Sequence, residues 1–434
     1  MKNQSNNFFA DDLISYKVIE LVSNVEESLR ETIEKRTNGV SSRLQKVLNA
    51  FAIEGLGPHH FNSLTGYAHG DIGRDLIDKV FAIVLGAEKS AVRMQFVSGT
   101  HAISAALFGV LRPGDHLLSL TGKPYDTLEE VIGLRGKGKG SLFDFGVTYS
   151  QISVIKNGNI DFQYLEDALK LPQKMVFIQR SCGYSSRPSL SIRIIKDICN
   201  FVHSKQPDCV CFVDNCYGEF VEEIEPNEVG ADLIAGSLIK NPGGTIVPTG
   251  GYIAGKSDLV EMSCCRLTAP GIGMDGGTNF NLNRLILQGL FLAPQMVAES
   301  LIGAEIIAGV FKELGFDVKP LPGEFRSDVI QTVSLGSANA LQVVCRSFQL
   351  SSPVSSYLNP VPSSMPGYES ELIMSGGTFI DGSTSEFSAD APLRSPYNLY
   401  VQGGTHRAHV KIAIIQAVIA LVNEGIVDLS KNKK

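Results

Sequence analysis

The sequence has no surplus of basic residues. Lys and Arg number 38 against 45 Asp and Glu, a formal net charge of −7. A chain that gripped nucleic acid or an anionic membrane through general electrostatics would carry the opposite sign, so neither partner is expected. Long apolar runs are also missing. The stretch 412–422, interrupted by Gln416, falls short of the ~20 residues that cross a bilayer. Residues 1–12 are polar and lack the apolar core of a secretory signal. None of the eight cysteines lies in a C-x-x-C pair, which argues against a disulfide scaffold and a paired-ligand zinc site. His406 and His409 are three apart and read as surface or packed imidazoles, so no metal is expected. A cytoplasmic enzyme is the resulting expectation.

What remains is core-forming material: 44% hydrophobic and 19% charged residues over 434 positions. That supports a large α/β domain with a smaller companion. Apolar residues at helical spacing from Leu13 to Leu29 predict an amphipathic helix over 13–33, and a second follows over 42–51. Gly55-Leu56-Gly57-Pro58 then breaks the chain. From about residue 75 to 269, helices alternate with short apolar runs. Helices are expected over 76–85, 102–111 and 192–203, and strands over 116–120, Met175–Gln179, Val210–Asp214, Leu233–Ser237 and 252–254. Continuous apolar runs of this length are what buried parallel strands require. A long helix over 291–314, strands over 329–335 and 340–345, a Pro/Ser-rich loop over 351–367 and a last helix over 409–423 suggest a smaller α+β domain. The Gly/Lys-rich loop 135–140 reads as solvated. The expected boundaries are 1–65 for an N-terminal helical segment, 66–290 for the large domain and 291–434 for the small one.

Three stretches carry chemistry. Cys209–Gly218 is a strand that ends on Asp214, and in open α/β sheets the carboxyl ends of strands face the ligand crevice. A second strand ends at Ser237, followed by Lys240 and a Pro/Gly turn; burial is expected to lower the pKa of that amine and make it nucleophilic. In Phe96-Val97-Ser98-Gly99-Thr100-His101, a strand passes into a helix whose free N–H groups suit a phosphate, with Ser98 and Thr100 as further donors. A phosphate cup, an acid at a strand end and a Lys 26 positions later fit pyridoxal phosphate, which needs an amine for its aldehyde and a carboxylate for its ring nitrogen.

The same residues carry a resemblance. Gly66-Tyr67, Gly73-Arg74, Ser98–Ala102 and Leu111-Arg112-Pro113-Gly114-Asp115 follow the order of the cysteine/methionine-metabolism group of fold-type I pyridoxal-phosphate enzymes. Gly236–Gly244, Gly250–Gly255, Gln288–Pro294 and Pro392–Tyr397 resemble the methionine γ-lyase-like family of aluminium-resistance proteins. The resemblance spans about residues 60–415. It implies an α/β, fold-type I large domain with a mostly parallel sheet and a smaller α+β C-terminal domain. It implies a pyridoxal 5'-phosphate-dependent carbon–sulfur lyase acting on a sulfur amino acid, by α,β- or α,γ-elimination. Lys240 would bind the cofactor and act as base, and Asp214 would meet the ring nitrogen. Ser98, Gly99, Thr100 and Ser237 would hold the phosphate, and His101 would stack on the ring. Tyr67 and Arg74 would reach the phosphate of a neighbouring subunit, which requires a homo-oligomer, dimer or tetramer. Tyr67 is the candidate acid, Arg394 the candidate for the substrate carboxylate and Arg407 the second choice. Two positions depart from the pattern: Ile239 stands where Thr precedes the lysine, and the loop Gln179–Tyr184 has no Asn for the cofactor's phenolic oxygen, leaving Arg180 or Tyr184.

Rival readings are weaker. Gly250–Ser257 matches G-x-x-x-x-G-K-[ST], but Tyr252 and Ile253 make it strand-like, which argues against a nucleotide-binding loop. Ser237-Leu238-Ile239-Lys240 matches S-x-x-K, yet its partner tripeptides S-D-N and K-T-G are absent. A scaffold that kept the fold and lost activity would have no use for two buried charges. An aminotransferase or aldolase on the same fold is the main alternative, because fold alone does not choose the reaction.

Overall fold

The computed structural model describes residues 13–136, 139–156, 158–185, 187–364 and 370–430. The N-terminal twelve residues, the middle of the 135–140 loop and the end of the 351–367 loop, on which expectations were placed above, lie outside them. The chain forms two units: residues 39–297 with 326–328, and residues 1–38, 298–325 and 329–434.

The described residues begin with α1 (Leu13–Ser28) and α2 (Arg30–Asn38), two helices where one was expected. They belong to the C-terminal unit and are not a segment apart. The reason is the apolar stripe Val18, Val22, Val25, Leu29 and Ile33, which is buried in the same cluster as the C-terminal helices. Helix α3 (Val40–Ile53) starts the larger unit.

In that unit α4 (Ile72–Leu85) is started by Asp71, whose carboxylate accepts from the N–H groups of Gly73 and Arg74, and is stopped by left-handed Gly86. There follow β1 (Lys89–Arg93), α5 (Gly99–Val110), β2 (His116–Ser119), α6 (Asp126–Ile132) and β3 (Thr148–Gln151). A small hairpin of β4 (Ile155–Lys156) and β5 (Asn159–Ile160) leads to α7 (Phe162–Ala168), β6 (Met175–Gln179) and α8 (Ile192–Lys205). Then come β7 (Val210–Asp214), β8 (Leu233–Ser237), β9 (Gly251–Gly255) and α9 (Ser257–Leu267). The main sheet has seven strands in the order β1-β9-β8-β7-β6-β2-β3. Only β9 runs against the others. Strands β6, β7, β8 and β9 are buried at every position, as strands covered on both faces must be. Side chains alternate: Phe212 and Ala235 enter the core that contains the α5 residues Ala102, Ile103 and Ala106, so Asp214 and Ser237, each two positions on, share the α5 side.

Helix α10 (Asn283–Glu313) begins earlier than the expected 291 and contains Pro294. By length and composition it is the one described helix apolar enough to cross a membrane, a possibility that the apolar runs had not suggested. About 67% of its apolar window is buried inside the protein, so it serves as a core helix.

The C-terminal unit has an antiparallel five-stranded sheet in the order β10-β11-β14-β13-β12, built from β10 (Asp317–Lys319), β11 (Gln331–Ser334), β12 (Leu372–Ser375), β13 (Ser388–Pro392) and β14 (Asn398–Gln402). It carries α11 (Ala338–Leu350) and α12 (Arg407–Asn423). The strand expected over 340–345 is part of α11. Ser337 caps the helix by accepting from the Ala340 N–H, and Ala340, Leu341, Val344, Cys345 and Phe348 are buried at helical spacing. His406 caps α12, and the ring Nε2 of His409 lies 2.8 Å from the Ser351 carbonyl oxygen. The two imidazoles thus serve helix capping and packing.

Candidate active site

The carboxyl ends of β7 and β8 bring Asp214 and Ser237 together on the α5 side of the sheet, and Lys240 follows three residues after Ser237. Strand β9 fills the match to a nucleotide-binding loop: Gly251–Gly255 is a central strand, paired on both sides. No phosphate loop exists there.

The start of α5 closes on this point. Ser98 caps the helix, its Oγ accepting from the His101 N–H at 3.1 Å. Gly99 needs to be glycine: a Cβ there would lie 3.1 Å from Ser237 Cβ and 3.3 Å from Cys216 Sγ. The helix N-terminus, Ser237 and Cys216 therefore converge on one small space. The Ser237 hydroxyl is buried and has no hydrogen-bond partner among the described residues. A buried orphan hydroxyl beside free helical N–H groups fits an anion such as a phosphate. Thr100 Oγ1 lies 3.4 Å from both Tyr125 OH and Thr127 Oγ1. His101 sits edge-on to Phe96, with ring centroids 5.6 Å apart; the Val97 N–H donates to its Nδ1, and burial lowers its pKa.

Asp214 Oδ1 accepts from the Cys216 N–H at 3.1 Å. Burial raises the pKa of this carboxyl, and Lys240, Cys216 and Arg187 oppose the rise. A carboxylate at that place suits a protonated ring nitrogen. The Lys240 amine lies over the ring of Tyr217, 3.8 Å from its centroid. Its pKa is raised, which corrects the expected lowering. Burial does work against the charge, but Cys216, Tyr217 and Asp214 together outweigh it.

The structure also adds groups that the sequence did not single out. Tyr125, at the start of α6, is coupled electrostatically to Asp214, Cys216 and Lys240, and burial raises its pKa. Cys216 is buried, and its thiol is pushed up by burial and then by Asp214. Arg187 donates to the carbonyls of Gln179, Ser181 and Pro188. Tyr125 had one usable signal, a Pro-Tyr-Asp-Thr helix start after β2; Cys216 and Tyr217 had only their closeness to Asp214.

Other expected residues are placed differently. Arg180 is turned away from the strand ends: its guanidinium meets Asn215 at 2.7 Å, Glu222 at 3.1 Å and Glu225 at 3.4 Å. It is therefore occupied and does not supply the missing Asn. Tyr184 is half-buried in the loop after β6. Tyr67 is 81% exposed and its ring stacks on His69, so it does not enter the site of its own chain. Arg74 is buried and donates to the carbonyls of Ala68 and Gly277 and to Asp75; it anchors the loop that carries Tyr67. In the C-terminal unit, Arg407 is held by Glu299 through three contacts of 2.6–3.2 Å. Arg394 is exposed just beyond β13.

This sheet, with an acid and a lysine at its carboxyl end, defines the large domain of fold-type I pyridoxal-phosphate enzymes. The pyridoxal-5'-phosphate-dependent protein YhfS of Escherichia coli shares the fold, with a TM-score of 0.58 at 16% identity over 89% of this chain and 97% of that one. The methionine gamma-lyase family model matches residues 18–422, and the chain belongs to that family of lyases. It is 46% identical to the protein YnbB of Bacillus subtilis over 91% of this chain and 94% of YnbB. A carbon-sulfur lyase involved in aluminum resistance from Clostridium novyi is 43% identical, with a TM-score of 0.89 over 96% of this chain and 99% of that one. An L-methionine gamma-lyase of Treponema denticola is 22% identical over 45% of each chain.

Proposed function

We propose that this protein is a pyridoxal 5'-phosphate-dependent carbon–sulfur lyase acting on a sulfur-containing amino acid. The observation that carries the reading is the convergence of Asp214, Lys240 and the buried, unpartnered Ser237 hydroxyl on the N-terminus of α5. The cofactor, when bound, supplies an electron-poor ring conjugated to the substrate Cα. Lys240 would hold the cofactor's aldehyde carbon and, as a free amine, would take the Cα proton of the substrate. Asp214 keeps the ring nitrogen protonated. Ser98, Gly99, Thr100 and Ser237 bind the phosphate, and His101 packs against the ring. The C–S bond then breaks with its electron pair on sulfur, and a proton completes the thiol. Hydrolysis yields a 2-oxo acid and ammonia.

Arg394 binds the substrate carboxylate, since its guanidinium has no side-chain partner among the described residues, whereas Arg407 is committed to Glu299. A second copy of the chain completes the site. The support is a rim of exposed apolar residues on segments joined to each other, Leu64, Tyr67, Ile72, Val97, Ile272 and Phe280. The eight free thiols support a cytoplasmic setting.

The test is an absorbance spectrum of purified protein with the cofactor added. A yellow species fixed by borohydride on Lys240, and absent from Lys240→Ala, is expected, with thiol, ammonia and oxo acid released from cysteine, cystathionine or methionine. A stoichiometric amino-group exchange with a second oxo acid, and no thiol, would replace the lyase by an aminotransferase.

A further inference from the structure

The stretch after β7 contains a costly choice. The Gly218 N–H donates to the Asn215 carbonyl at 3.0 Å, closing a turn over Cys216 and Tyr217. Tyr217, the third residue of that turn, has a φ of 71°. This is the left-handed position that turns normally give to glycine, and a bulky side chain there is an outlier. A glycine is available one position later, where it is needed for packing: a Cβ on Gly218 would lie 2.5 Å from Arg180 Cδ. The turn thus spends its glycine on Arg180 and accepts strain at Tyr217. The Tyr217 ring lies face-on to the Lys240 amine at 3.8 Å. Asn241 secures the other side, its Nδ2 donating to the Glu219 carbonyl at 2.9 Å, so the turn carrying Tyr217 and the turn carrying Lys240 are tied together.

We propose that Tyr217 is a catalytic residue of this site, the group whose ring face receives the Lys240 ammonium when that amine takes the proton from the substrate Cα. The inference rests on Lys240 being the cofactor's lysine and deepens that reading. A proton moves from carbon to Nζ, and the new positive charge comes to rest against the negative face of the phenol ring. The base is strengthened because its conjugate acid is stabilised. Tyr67, exposed in its own chain, cannot do this within one subunit. The other groups coupled to Lys240 are Asp214 at the end of β7, Cys216 in the same turn, Glu219 beneath it and Tyr125 at the start of α6. None of them presents a ring face to the amine among the described residues.

The experiment uses three proteins: wild type, Tyr217→Phe, which keeps the ring, and Tyr217→Gly, which removes it while relieving the left-handed strain. Loss of folding is not expected for the glycine variant, and its thermal midpoint should equal or exceed that of wild type. The first readout is the pH dependence of Lys240 acetylation in cofactor-free protein, followed by mass spectrometry. Tyr217→Gly is expected to lower the midpoint by about one pH unit, with Tyr217→Phe, which keeps the ring and loses only the phenol's hydrogen bond to the amine, between it and wild type. The second readout is kcat against pH in the loaded enzyme. Tyr217→Gly should lower the plateau about 10²-fold, leave KM within a few-fold and move the acidic limb to lower pH. An unchanged acetylation midpoint in Tyr217→Gly would overturn the proposal, as would a fall in kcat with no shift of the acidic limb. If wild type itself forms no borohydride-fixed adduct on Lys240, the underlying functional reading fails instead; a normal adduct with unaltered glycine-variant titration sinks this inference alone.

Discussion

The two ends of strands β7 and β8 hold the same kinds of side chain and use them in opposite ways. At the amino end, Asp232 accepts from the Cys211 N–H at 2.7 Å, lies 2.8 Å from His203 Nε2 and pairs with Lys256 at 2.7 Å. His203, Cys211 and Asp232 bring ligand atoms within 4.8 Å of one another. Lys256 and His203 already answer the carboxylate, however, and the group is a closed ion pair. At the carboxyl end, among the described residues, the Asp214 side chain accepts hydrogen bonds from Cys216 alone, the Lys240 amine rests on an aromatic ring, and the Ser237 hydroxyl has no partner. An acid, a lysine and a thiol are present at both ends, so composition does not distinguish them. Satisfaction does: the closed end contributes to stability, and the open end is arranged for a ligand.

The sharpest way to break this contrast is to neutralise each acid in turn. Asp214→Asn should lower kcat/KM about 10³-fold while leaving the thermal midpoint unchanged or higher. Asp232→Asn should leave kcat/KM near wild type and cost about 2 kcal/mol in urea unfolding, because a buried acceptor is weakened. The reverse pattern would show that the two ends have been assigned the wrong way round.

The two arginines of the C-terminal unit considered for the substrate carboxylate, Arg394 and Arg407, extend the contrast. Arg407 is closed by Glu299, and Arg394 is not. Arg394→Lys should raise KM about 30-fold with little change in kcat. Arg407→Lys should act on the unfolding midpoint instead, so steady-state kinetics and a melt on each variant separate the roles.

A smaller effect is expected at Glu219, under the open end. Burial pushes its carboxyl up to about 8, and one oxygen has no partner among the described residues while the other accepts from Tyr252 OH at 2.7 Å. The folded state thus keeps a proton that the unfolded chain has lost. Its stabilising contribution is complete below the ordinary glutamate range and disappears as pH rises through about 8. Wild type should lose about 1 kcal/mol of stability per pH unit across that window from this group, and Glu219→Gln should flatten the slope in urea titrations. Smallest of all is Lys256→Met. Its side chain is 55% exposed, so the expected cost is under ~1 kcal/mol and should vanish in high salt.

How much of this was legible in the sequence depends on what fixes each feature. Strands β6, β7 and β8 lie where their unbroken apolar runs place them, because a strand covered on both faces has no other way to be written. Asp214, Ser237 and Lys240 were legible for the same reason, as polar groups at the ends of such runs. The six apolar-rich residues 340–345 were ambiguous, since burial alone does not separate a short strand from a helix turn, and the Ser337 cap was the clue that went unused. Position 407 was illegible because Glu299, which occupies it, is 108 residues distant. The charge state of Lys240 was misread for a related cause: burial can be inferred from neighbours in sequence, but the phenol, thiol and carboxylate gathered around the amine belong to a folded loop.

The placement of α1 has a consequence for how the chain comes into being. Its apolar stripe finds its partners in the cluster that contains α12, and α12 leaves the ribosome long after α1. The larger unit, residues 39–297 plus a short return, can condense during translation, while α1 waits for α12. A premature stop before position 407 would release a protein whose α1 displays Val18, Val22 and Val25 to whatever binds unfinished chains.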